Sequence, residues 1–114
     1  MTMSVTIYHN PRCSKSRTTL ALLQDNNAEP VVVEYLNTPP SAEELKNIIG
    51  LLGIAPRQLL RAKEAKEAGL DASLDDDALI AAMVANPVVI ERPIVVAGGK
   101  ARIGRPPESV LEIL

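Results

Sequence analysis

The chain has 114 residues, enough for one domain with a real core, and its 46% hydrophobic and 23% charged residues are ordinary for a soluble globular protein. A net charge of −2 argues against general affinity for nucleic acid, and with neither Phe nor Trp there is little on which bases could stack. No run of about 18 apolar residues is available to span a membrane.

Near the N-terminus, MTMSVTIYHN lacks a cationic segment followed by a long apolar one, so no secretory signal is expected. The single cysteine cannot form an internal disulfide, and the expected location is the cytosol, where a thiol stays reduced. Ser4 to His9, SVTIYH, is a β-branched and aromatic run that suits a strand. Lys15 to Gln24 carries helix formers, with Leu20, Ala21 and Leu23 making an apolar face. Asn26 or Asn27 can take a left-handed cap, and Pro30 cannot continue the helix. Val31 to Tyr35, VVVEY, is expected as a second strand buried on both faces. Two strands joined by a helix of this length imply a parallel pair with a right-handed crossover.

Ser41 with Glu44 is a capping-box signature, followed by Leu45, Ile48, Ile49 and Leu52 at helical spacing. The chain then reads as short helical pieces to Asn86, with Leu79, Ile80, Met83 and Val84 on one side. RPIVVAGGKARIG predicts a hairpin: Ile94 to Ala97, a Gly98-Gly99 turn, and a return over Lys100 to Gly104. RPPESVLEIL closes with a helix whose first turn tolerates proline. Without the middle helices this order is that of a thioredoxin-type core. The expectation is one α/β domain over 1–114, thioredoxin-like, with a mixed sheet flanked by helices. An α-helical insertion, approximately 41–86, would separate strands 2 and 3.

IYHNPRCSKSR holds the only cysteine and the only histidine. A thiol at a strand-to-helix turn faces free backbone N–H groups, which favour a negative charge. Arg12, Lys15 and Arg17 add cations, His9 could add a hydrogen bond or a charge, and the Ser16 hydroxyl could donate to the sulfur. Against this stands a small buried hydrophobe with incidental neighbours. Spacing narrows the chemistry. A C-x-x-C redox pair would need cysteine where Ser16 stands, so Cys13 has no internal resolving partner. A C-x5-R anion loop would need arginine where Thr19 stands. One Cys and one His are too few for zinc, so no metal is expected. There remains a single thiolate that relies on an external thiol.

Arg61, Arg92 and Arg105 each flank a predicted element. If the fold gathers them near the sulfur, their forked donors make a site for a tetrahedral oxyanion; otherwise they are surface arginines in weak ion pairs. Arg57 and Arg102 are expected to face solvent or to support. In a thioredoxin-like core Pro93 would be cis and would face Cys13.

YHNPRCSKSR, YLNTPPS, LLR, ERPIVV and GRPPE resemble the glutaredoxin-coupled arsenate reductase (ArsC) family, in wording most like its YfgD-like branch, over essentially the whole chain. The resemblance implies a thioredoxin-like fold with a helical insertion and an oxidoreductase that reduces arsenate with no bound cofactor. Cys13 matches the nucleophile that attacks arsenate. His9 and Ser16 match positions that help hold it as thiolate, and Arg61, Arg92 and Arg105 match the anion-binding arginines. Glutathione is the implied co-substrate and adds after the arsenate adduct forms. Glutaredoxin resolves the mixed disulfide, and arsenite leaves. Neither nucleic acid nor a membrane is an expected partner. Two other readings stay open: a redox-sensing transcription regulator of the same family that binds RNA polymerase, and another glutathione-dependent thiol-disulfide oxidoreductase.

Overall fold

The computed structural model describes residues 4–71 and 73–114. They fall into two compact units. One comprises the residues before Pro39 together with Arg92–Leu114, and the other is Pro39–Glu91.

The first unit is built on a sheet. Strand β1 (Val5–Tyr8) leads into helix α1 (Ser14–Asp25), and β2 (Val31–Val33) follows. After the second unit the chain re-enters as β3 (Ile94–Ala97) and β4 (Lys100–Ile103). The sheet order is β2-β1-β3-β4. β1 pairs parallel with β2, Ile7 opposite Val32, and antiparallel with β3, Ile7 opposite Val95. The parallel pair needs a crossover, which α1 supplies. The antiparallel pair β3–β4 needs only a tight turn, and Gly98 (φ 56°) and Gly99 (φ 80°) supply its two left-handed residues. This is the expected thioredoxin-like topology, a mixed sheet with helices inserted between the second and third strands.

Alternation decides which side chains make the core. Val5 and Ile7 on β1 and Val95 and Ala97 on β3 are buried with Leu23 of α1 and with Val110 and Ile113 near the C-terminus. Each of the larger aliphatics contributes about 1.5–3 kcal/mol by leaving water. The closing segment, Pro107–Ile113, is a 3-10 helix that packs on α1 and β4. Asn27 holds the left-handed position (φ 62°) after α1.

β2 departs from expectation. It spans three residues, and Val31 and Val32 are 61% and 43% exposed, not buried on both faces. β2 is an edge strand, so an unbroken apolar run here reflects β-propensity, not double burial.

The Pro39–Glu91 unit is helical. α2 (Ala42–Leu52) begins with the expected capping box: Ser41 Oγ accepts the Glu44 N–H at 3.1 Å, and the Ser41 N–H donates to the Glu44 carboxylate at 3.2 Å. Gly53, at φ 69°, ends it. A 3-10 turn (Pro56–Leu59), α3 (Ala62–Glu67), α4 (Asp76–Ala85) and a second 3-10 turn (Pro87–Val89) complete the unit. Leu45, Ile48, Ile49, Leu79, Ile80 and Met83 are buried, whereas Leu52 and Val84 are only partly so. Leu60 bridges Ile90 in antiparallel fashion. Among the described residues no helix is long and apolar enough to cross a membrane.

Candidate active site

Five residues, from His9 to Cys13, join β1 to α1, and Asn10 shapes the turn. Its side-chain Oδ1 accepts the N–H of Arg12 at 3.0 Å, and its carbonyl accepts the N–H of Cys13 at 3.0 Å. Asparagine before proline favours such a turn, because its side chain satisfies the backbone N–H two residues on. Cys13 is thereby placed at the N-cap of α1 with extended backbone (φ −92°, ψ 122°) and lies half-buried.

Burial is the largest single influence on the Cys13 thiol and pushes its pKa up. The backbone N–H of Ser16, the Arg92 guanidinium, the N–H of Lys15 and the charge of Arg105 together outweigh it, so the thiol is held below its ordinary value. Arg105 Nη2 lies 3.8 Å from Sγ. Its Nε donates to the carbonyl oxygen of Arg92 at 2.8 Å, which fixes one edge of the fork and turns the other toward sulfur. Both residues precede prolines in cis linkage, Arg92–Pro93 and Arg105–Pro106.

His9 and Ser16 form a buried pair behind the turn. Ser16 Oγ is 2.6 Å from His9 Nδ1 and also accepts the N–H of Asn10 at 3.0 Å. Burial lowers the His9 pKa most, Glu34 opposes that, and Arg17 lowers it further, with a net downward shift. The charged form of His9 is thereby disfavoured, and its imidazole shares a single hydrogen bond with the Ser16 hydroxyl. That hydroxyl faces the imidazole, and the bond expected from it to sulfur is made by the Ser16 backbone N–H instead.

Cys13, His9, Ser16, Arg92 and Arg105 thus share the first unit. Arg61 belongs to the second, where its Nε donates to Glu64 and its Nη1 to Glu91, both at 3.1 Å. Arg57 faces Asp76 at 3.9 Å and Arg102 pairs with Glu112 at 3.2 Å, as supporting surface cations do. Sequence reasoning missed Asn10 as an organiser of the turn, although the Asn-Pro pair was its signal. Among the described residues no cluster of three or more His, Cys, Asp or Glu side chains could hold a metal ion. A thiolate beside two guanidinium groups can bind a small anion and attack its central atom, the forks offsetting the charge that would otherwise repel the sulfur.

Comparison with known proteins supports a family assignment. The model of the ArsC family matches residues 8–113. The Escherichia coli K12 protein YfgD is 60% identical, across 100% of this chain and 99% of its own length. A Neisseria meningitidis (MC58) protein named arsenate reductase is 49% identical, covering 96% of this chain and 97% of its own. The structure of an arsenate reductase from Vibrio cholerae superposes with a TM-score of 0.94 at 57% identity, with 100% of both chains covered. A match across nearly the whole length, joined to the same fold, establishes that this chain belongs to the ArsC family.

Proposed function

We propose that the protein is an arsenate reductase. The observation that carries the reading is a lone half-buried thiol, lowered in pKa, with Arg105 at 3.8 Å and Arg92 beside it. Arg92 and Arg105 bind the oxyanion, and Arg61 is proposed as a third anion-binding arginine. The Cys13 thiolate attacks arsenic and displaces hydroxide or water, forming a sulfur–arsenic bond. His9 and Ser16 hold the turn that presents the sulfur.

The chain has no second cysteine, so the remaining electrons must come from outside. Glutathione is proposed as the co-substrate. Its sulfur joins Cys13 in a mixed disulfide while the electron pair of the sulfur–arsenic bond stays with arsenic, which leaves as arsenite. A glutaredoxin thiolate then displaces Cys13. The cytosol, where thiols are kept reduced, is the proposed setting.

The test is NADPH oxidation on adding arsenate to the purified protein with glutathione, glutaredoxin and glutathione reductase. Turnover that Cys13→Ser abolishes supports the reading. Undiminished turnover in Cys13→Ser, or none in the native chain, ends it.

A further inference from the structure

Gly104 follows β4 and precedes Arg105, and its φ lies outside the left-handed region. Backbone conformation is therefore not what calls for glycine here; space is. A Cβ at this position would stand 2.6 Å from Thr19 Oγ1, 2.8 Å from Pro93 Cγ and 3.2 Å from Thr19 Cγ2. Neither neighbour is the loose end of a flexible side chain. Thr19 is fully buried on α1, and its hydroxyl donates to the Lys15 carbonyl at 2.7 Å. Pro93 is a buried ring whose carbonyl accepts the Gly104 N–H at 2.9 Å. The Arg105 N–H donates to the Ile103 carbonyl at 2.9 Å, closing a three-residue turn on Gly104.

Three parts of the site meet at this junction. Thr19 belongs to the helix whose first N–H groups face the sulfur, Pro93 follows Arg92, and Gly104 precedes Arg105. We propose that Gly104 is a positioning residue whose missing side chain lets the exit of β4 seat against Thr19 and Pro93, and so sets the approach of Arg105 and Arg92 to Cys13. The inference rests on the reading of Cys13 as nucleophile, not on arsenate as its substrate.

The experiment compares Gly104→Ala with the native chain by Cys13 alkylation with iodoacetamide across pH and by arsenate kinetics. Gly50→Ala serves as a control, since a Cβ there meets nothing within 4 Å. In Gly104→Ala the alkylation midpoint rises, and kcat/KM for arsenate falls roughly 10- to 100-fold, the scale of a misplacement near 1 Å. Thr19→Ala/Gly104→Ala, which clears two of the three close contacts, recovers part of both. A folded Gly104→Ala with the native alkylation profile overturns the proposal. Should Gly104→Ala not fold, the double variant decides: a shifted midpoint supports the proposal and a native one overturns it. Failure of both to fold also overturns it, because glycine would then serve the fold and not the site. If arsenate is not the substrate, the alkylation arm still gives its answer while the kinetic arm is silent in every variant, native chain included.

Discussion

Ser16 Oγ sits 2.6 Å from His9 Nδ1, with both side chains buried. The only histidine and the first turn of α1 are thereby tied together behind the sulfur, while the sulfur itself is met by the N–H groups of Ser16 and Lys15 and by the guanidinium groups of Arg92 and Arg105.

Ser16→Ala should therefore damage stability more than ionisation. It strands His9 Nδ1 and the N–H of Asn10, and a buried group left unsatisfied costs about 1–3 kcal/mol. Urea unfolding should report a loss in that range, while the midpoint of Cys13 alkylation moves little. A midpoint that climbs to the free-thiol value with unfolding unchanged would reverse the assignment.

The thiolate should be separable from the oxyanion site at Arg105. In the native chain the alkylation midpoint lies below about 8.5, the value of a free thiol. Arg105→Ala raises it by removing a nearby positive charge. Arg105→Lys keeps the charge and much of the lowered midpoint but loses the fork and the bond to the Arg92 carbonyl. Losing charge-assisted bonds worth about 1.5–3 kcal/mol should cost Arg105→Lys roughly 10- to 100-fold in kcat/KM for arsenate.

His9 gives stability a pH dependence whose sign follows from its lowered pKa. Unfolded, it takes up a proton as pH falls through about 6.5, whereas the folded chain resists protonation until lower pH. The unfolded state then binds more protons, so stability present above pH 6.5 is lost as the solution is acidified toward the folded value. With one histidine in the chain, its NMR titration is unambiguous and should place the folded midpoint below 6.5. The slope of unfolding free energy across this window should shrink in His9→Gln.

In the second unit, Gly50 lies in the exposed interior of α2, where a Cβ meets open space. Gly50→Ala should stabilise the chain by about 0.5–1 kcal/mol through reduced backbone entropy in the unfolded state. Thermal unfolding checks it, with alkylation of Cys13 unchanged.

Local chemistry was the legible part. Ser41 and Glu44 meet within one helical turn and the Gly98-Gly99 hairpin closes on itself, so neighbouring residues sufficed to place both. The strand-to-helix setting of Cys13 was readable for the same reason. Exposure at Val31 and Val32 was not, because sheet order makes β2 an edge and no property of the valines records it. Nor was the partner of Ser16, since its hydroxyl had sulfur and imidazole within sequence reach and only the folded turn decides between them. Gly104 read as the end of a strand; its role depends on Thr19, 85 positions earlier by residue number.

Cys13 and Arg105 are 92 positions apart, and Arg92 also comes late. A ribosome makes the sulfur early and both guanidinium groups near the end. Until β3 adds beside β1 and β4 beside β3, the nascent chain carries its thiol without either cation. Juxtaposition of the sulfur with both guanidinium groups therefore waits on the last strands to be translated, whereas the Ser16 and Lys15 N–H groups that also face it are made within a few residues of Cys13.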